Sequence, residues 1–217
     1  MYHKEAAPLS DIPLLIDTPK GKADRLTIVL AHGAGAAMDS PFMEETAHAL
    51  CAQSFRVVRF EFPYMQEKRA TGKRTRPDFP SVLEATWRRV IEQLGDPAGL
   101  VIGGKSMGGR IASMVADTSG VKGLVCLGYP FHPAGRPGTL RVSHLETLAT
   151  PALFVQGERD ALGSREEVGG YRLSKSIRIV FMPDGDHSFK PRKSSGVSYG
   201  ENMAQAMKEI VSFCKGL

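Results

Sequence analysis

The sequence predicts an α/β protein: a mostly parallel central sheet flanked by helices. Short apolar, β-branched runs alternate with segments whose apolar residues recur at helical spacing. Several of those runs are almost continuously apolar, as strands covered on both faces must be. The composition agrees. With 217 residues, 42% hydrophobic, 24% charged and 7% aromatic, the chain has the values of a globular protein and excludes collagen-like, coiled-coil and disordered classes. One domain over 1–217 is expected, burying roughly 70% of the surface its unfolded chain exposes.

Strands are expected at 12–16, 26–31, 56–62, 100–103, 123–128, 152–156 and 177–182. Between them Met43/Ala47/Leu50, Leu83/Trp87/Val90/Leu94, Ile111/Met114/Val115 and Met203/Met207/Ile210/Cys214 mark the inner faces of helices. Helix starts are signalled by Ser40 before Pro41 and by capping boxes at Ser81/Glu84, Ser164/Glu167 and Ser198/Glu201. Neither repeats nor an interdomain linker interrupts this pattern.

Lys+Arg exceed Asp+Glu by 28 to 23, a net +5 that many enzymes carry. Lys68, Arg69, Lys73, Arg74 and Arg76 concentrate the excess in a stretch that also holds Gly72 and Pro77 and so reads as a loop. No aromatics interleave with these basic residues and no reader motif accompanies them, so nucleic acid is not an expected partner. Cys51, Cys126 and Cys214 are odd in number and embedded in apolar sequence, the pattern of reduced buried thiols and not of a disulfide framework or zinc site. No metal or cofactor is expected. Residues 1–8 lack the apolar core of a signal peptide, and no run approaches the ~20 apolar residues of a membrane span, so a cytoplasmic, membrane-free protein is the expectation.

The chemistry concentrates at Gly104-Lys105-Ser106-Met107-Gly108, a G-x-S-x-G placed directly after one expected strand and directly before a helix. A strand-to-helix turn this tight holds its serine in a strained backbone geometry and presents the hydroxyl at the carboxyl edge of the sheet. Serine is a weak nucleophile at neutral pH, so it needs a histidine base and a carboxylate that fixes the imidazole tautomer. Of six histidines, His187 in the turn Asp184-Gly-Asp-His-Ser-Phe189 after the last strand is best placed. His132 is a weaker rival, and His3, His48 and His144 read as surface or packing residues. Asp160 closes Gly157-Glu-Arg-Asp160 after the strand at 152–156 and is the preferred acid. Asp186 adjoins His187 and cannot easily fold back onto its ring, and Asp184 and Glu158 are less apt substitutes. An oxyanion needs preorganised N–H donors. Met107 at the helix start supplies one, and His32-Gly-Ala-Gly35 after the strand at 26–31 supplies the other, with Ala34 the first choice and Gly35 the second. His32 is expected to brace that loop.

Together with Arg59-Phe-Glu-Phe-Pro-Tyr64 and Gly128-Tyr-Pro-Phe-His-Pro133, these motifs resemble the α/β-hydrolase superfamily, from about residue 26 to the end. The last two resemble a small lidless branch that includes bacterial predicted hydrolases and the testis-expressed protein 30 and NSL complex subunit 3 group. The resemblance implies an α/β-hydrolase fold and a Ser106, Asp160, His187 triad. The eukaryotic members' association with protein complexes leaves a second reading, a non-catalytic scaffold that keeps the fold. Gly99-Leu-Val-Ile-Gly-Gly104-Lys105-Ser106 also matches the Walker A pattern. Its Leu100, Val101 and Ile102 read as an apolar strand whose N–H groups belong to the sheet, which leaves no phosphate cradle.

A cap would be inserted between Pro130 and Pro151, where about twenty residues leave too little chain for packed helices averaging ~11 residues each. The site is therefore expected to be open, walled by 129–148 and the basic 63–80 stretch, with Gly35, Lys105 and Tyr129 facing the substrate. The expected activity is hydrolysis of a small or medium carboxylic ester or thioester through an acyl-enzyme. The basic wall suggests an anionic portion on that ester.

Overall fold

The computed structural model describes residues 11–217. Residues 1–10, which hold His3 and the stretch read for a targeting segment, lie outside the described residues. Seven strands form one sheet: β1 (Leu14–Asp17), β2 (Thr27–Ala31), β3 (Arg56–Phe60), β4 (Leu100–Lys105), β5 (Gly123–Leu127), β6 (Ala152–Gly157) and β7 (Ile177–Met182). Their order is β1-β3-β2-β4-β5-β6-β7; β1 runs antiparallel to β3 and all other pairs are parallel. The helices are α1 (Pro41–Cys51), α2 (Pro63–Thr71), α3 (Pro80–Leu94), α4 (Met107–Ser119), α5 (Arg165–Gly169) and α6 (Tyr199–Lys215).

The period-2 geometry of the strands sends alternate residues to opposite faces, and each face has its own apolar layer. Ile28, Leu30, Val101, Val125, Leu127, Leu153 and Val155 pack with Met43, Ala47 and Leu50 of α1 and Met203, Ala206 and Ile210 of α6. Val29, Ala31, Ile102, Leu124, Cys126 and Phe154 pack with Leu83 and Trp87 of α3 and Ile111 and Val115 of α4. The near-continuous apolar runs of the inner strands follow from this double cover.

Element boundaries differ from the expected ones where the chain leaves the ladder. Strand β1 starts at Leu14 because Pro13 has no N–H to give the sheet. Strand β3 ends at Phe60, and the Phe62 N–H turns instead to His32 Nε2 at 3.2 Å. The basic stretch is not a loop throughout. Pro63 at the first position and Gly72 at the C-cap delimit α2, and Lys68 and Arg69 fall in its last turn, where cations suit the helix dipole. The boxes at Ser164/Glu167 and Ser198/Glu201 form, but the one at Ser81/Glu84 does not. Pro80 takes the first helical position of α3 and makes Phe79 the N-cap. Cys126 and Cys214 are buried, and Cys51 is only half-buried. Among the described residues, no helix is long and apolar enough to cross a membrane.

The strand order places the site. Strands β2 and β4 are central neighbours, yet α1, which follows β2, and α4, which follows β4, lie on opposite faces. The loops leaving the two strands diverge and open a crevice at the carboxyl edge, the switch point where parallel sheets bind ligands.

Candidate active site

Ser106 stands at the mouth of that crevice. It is the N-cap of α4 with φ 51° and ψ −115°, a left-handed conformation that costs a non-glycine residue roughly 1–3 kcal/mol. Two backbone bonds fix it: its N–H donates to Leu127 O at 2.9 Å, and its carbonyl accepts from Arg110 N at 3.0 Å. Gly104 makes the turn possible. Its φ is 147°, and a Cβ there would stand 2.0 Å from Ala31 O, inside the neighbouring strand.

Asp160 lies beyond the end of β6 and is wholly buried, whereas the His187 side chain is 30% exposed. His187 Nδ1 and Asp160 Oδ2 are 2.7 Å apart. The other carboxylates near the turn are committed elsewhere. Asp186 Oδ1 accepts from the backbone of Ser188 and Lys190, Asp184 pairs with Arg159 and Arg192, and Glu158 pairs with Arg165. The remaining described histidines bond groups other than Asp160. His144 Nε2 bonds Ser113 Oγ, His48 is exposed beside Asp17, and His132 Nδ1 lies 3.0 Å from Pro133 O. Gly128 joins the two halves of the site. It follows Leu127, which holds the Ser106 N–H, and a Cβ on it would lie 2.7 Å from His187 O and 3.3 Å from His187 Cε1.

The loop after β2 faces the same crevice. Neither Ala34 N–H nor Met107 N–H has a backbone acceptor among the described residues. Both residues line the cleft with Ser106. The loop is braced from beneath. Tyr64 Oη donates to Ala34 O at 3.0 Å, Arg59 Nη1 donates to Met38 O at 2.9 Å, and Glu61 Oε1 accepts from Met38 N at 3.3 Å. His32 is wholly buried with its Nδ1–H on Gly33 O at 2.7 Å and its Nε2 accepting from Phe62. Burial holds its pKa below the ordinary value, which keeps the ring neutral. The Arg59-to-Tyr64 motif is thus a scaffold for this loop.

Three residues expected to face substrate are placed otherwise. Tyr129 is wholly buried, stacks on Phe154 and donates its hydroxyl to Arg141 O at 2.9 Å, so it belongs to the core. Lys105 is 9% exposed, and its Nζ donates to His187 O at 2.5 Å while lying 5.4 Å from the centre of the Phe42 ring. Burial lowers its pKa to about 8, opposed by the charges of Asp160 and Asp186. Gly35 is exposed and, unlike Ala34 beside it, does not line the cleft.

The cleft holds about 390 Å³; the 129–148 segment walls it as expected, whereas the basic stretch largely does not. The 129–148 segment contributes Pro130, His132, Pro133, Ala134 and Arg141, without an α-helix. From the basic stretch only Pro77, Asp78 and Pro80 reach it. Arg69 is held by Glu61 and Asp39, and Lys73, Arg74 and Arg76 are exposed elsewhere. The cations in the cleft are Arg110, one turn into α4, and Arg141. The signal for Arg110 was its i, i+4 spacing from Ser106, which puts both on one face of the helix; nothing in the sequence marked Arg141.

Gln156 also escaped the sequence reading. Wholly buried, it donates Nε2 to Asp160 Oδ2 at 2.9 Å and to Gly163 O at 3.0 Å, and accepts from Tyr129 N at 2.8 Å. A lone amide ending an otherwise apolar strand was the sign of it. At the Walker-like stretch, Leu100 through Lys105 are strand β4, with Val101 through Gly104 paired on both sides, so no phosphate loop exists there.

Residues 24–215 match a family described as an alpha/beta hydrolase domain. Among solved structures, the chain is similar to an alpha-beta serine hydrolase homologue from Coxiella burnetii at 25% identity, covering 92% of this chain and 89% of that one with a TM-score of 0.68. It is also similar to a serine hydrolase without lid from Xanthomonas campestris, at 19% identity, 99% and 96% coverage and a TM-score of 0.66. A dienelactone hydrolase from Anabaena variabilis matches at 20% identity, 94% and 90% coverage and a TM-score of 0.67.

Proposed function

The chain belongs to the α/β-hydrolase family, and we propose that it is a serine hydrolase cleaving small or medium carboxylic esters or thioesters through an acyl-enzyme on Ser106. The observation that carries the reading is the 2.7 Å contact of His187 Nδ1 with the wholly buried Asp160, at the same sheet edge as the strained turn of Ser106.

Asp160 accepts the Nδ1–H and so leaves the Nε2 lone pair to act as base. As Ser106 Oγ attacks the carbonyl carbon, its proton passes to Nε2, and the C=O π electrons become an oxyanion held by the N–H groups of Ala34 and Met107. Each such donor is worth about 3 kcal/mol of barrier. The intermediate collapses, the bond to the alcohol or thiol breaks, and His187 gives that leaving group the proton. Water then attacks the acyl-enzyme with His187 again as base, which releases the carboxylic acid and restores Ser106. The lidless cleft suits short substrates reached directly from solvent.

The test is turnover of para-nitrophenyl acetate followed by peptide mass spectrometry. The expected result is an acetyl group on Ser106, with kcat/KM falling about 10⁴-fold or more in Ser106→Ala and in His187→Ala. Turnover that survives Ser106→Ala would contradict the proposal.

A further inference from the structure

We infer that Arg110 and Arg141 form an anion subsite in the Ser106 cleft, so that the ester this protein takes carries a free carboxylate a few atoms from its scissile carbonyl. The ester part rests on the hydrolase reading above; the anion part does not.

Both arginines line the cleft with Ser106 and Met107, and both also border an adjoining pocket with Met114, Ser143 and His144, so they stand at the boundary between the two. Neither guanidinium has an ion pair among the described residues; Arg74, Arg76 and Arg136 also have none, but they are exposed to solvent and lie outside the cleft. Arg110 Nε is buried and has no hydrogen-bond partner among the described residues, a condition native structures rarely leave unanswered. The two side chains are close enough that the charge of Arg110 adds to burial in lowering the pKa of Arg141. Two cations in one cleft repel each other, and an anion bound beside both relieves that repulsion.

The backbone holds this pair in place. Arg110 lies four residues after Ser106, about 6 Å along the helix, and its N–H bonds Ser106 O. Arg141 is pinned from both sides, its N–H on Phe131 O at 2.7 Å and its carbonyl under the Tyr129 hydroxyl at 2.9 Å. Tyr129, buried in the core, therefore acts on the cleft through Arg141. The cleft's carboxylate, Asp78, has one oxygen on the Tyr64 N–H at 2.9 Å and forms no ion pair among the described residues. Two planar forks beside a reacting serine match a carboxylate, and about 390 Å³ suits an ester of short chain.

The experiment compares the para-nitrophenyl monoester of glutaric acid with para-nitrophenyl pentanoate, which has the same chain with a methyl in place of the carboxylate. The wild type is expected to prefer the glutarate ester. The ratio of the two kcat/KM values should fall roughly 10- to 100-fold in Arg110→Met and in Arg141→Met. Arg110→Lys and Arg141→Lys keep stem and charge but lose the fork; they should fold as the wild type does and still lower the ratio. A ratio unchanged in these variants overturns the subsite. If the wild type cleaves neither ester, the hydrolase reading fails and thermal denaturation decides the subsite alone. A Tm raised by glutarate, not by glutaramide, and less so in the lysine variants supports it; no rise with glutarate overturns it.

Discussion

Asp160 Oδ2 accepts from two side chains, the imidazole of His187 and the amide of Gln156, while Oδ1 takes the Leu162 N–H at 2.8 Å. Gln156 thereby sets the angle from which the carboxylate meets the ring. Gln156→Leu should cost about 1–3 kcal/mol by orphaning the buried Tyr129 N–H, measured by chemical denaturation, and should slow esterase turnover beyond what lost stability explains. Gln156→Glu, in which Oε1 still accepts from Tyr129 but a second carboxylate crowds Asp160, should shift the acidic limb of the pH–rate profile, an effect with no counterpart in a purely structural role. Lys105 makes a second prediction. Its pKa of about 8 lies below the unfolded value because burial penalises the cation. Between about 8 and that unfolded value the unfolded chain binds more protons, so this group makes the folded state gain stability as pH rises. Below about 8 the full penalty stands. Thermal melts from neutral to alkaline pH should show that gain in the wild type and lose it in Lys105→Met. The positions of Ser106, Asp160 and His187 were legible because each follows an apolar strand at a turn-forming motif. The placements of Lys105 and Tyr129 were not, because sequence shows adjacency to Ser106 or to the end of a strand but not the side of the sheet edge to which a side chain goes.

The elements themselves were legible wherever apolar periodicity and end signals agreed. Strands β4 through β7 lie where their apolar runs do, and α6 begins at its capping box. Two local signals misled. Gly72 with Pro77 reads as loop punctuation, yet Gly72 closes α2, whose polar composition gives little apolar stripe to detect. Ser81 with Glu84 satisfies the capping pattern, but Pro80 already occupies the first turn and moves the cap to Phe79. That difference is measurable. Ser198→Ala, which removes a true cap, should destabilise the protein by about 1 kcal/mol, whereas exposed Ser81→Ala should leave urea denaturation within error of the wild type.

At the scale of the whole molecule, the site exists because of strand order. The reversal between β2 and β4 opens the crevice, the β2 loop brings Ala34 to it beside Ser106, and the loops after β6 and β7 bring Asp160 and His187 into contact with each other. Among the described residues no helix covers the cleft: the segment after β5 is irregular with one short 3₁₀ turn at Ser143–Glu146. The fold class was readable from composition and alternation, but the cleft's charge was not, since it depends on which cations the fold leaves unpaired. The central claim is that this edge activates Ser106, and reaction with a fluorophosphonate probe tests it most directly. Rapid labelling of the wild type, lost in Ser106→Ala, lost in denatured protein and strongly slowed in His187→Ala, is the predicted result. Folded wild-type protein that takes up no probe, or that labels equally well without His187, would contradict it.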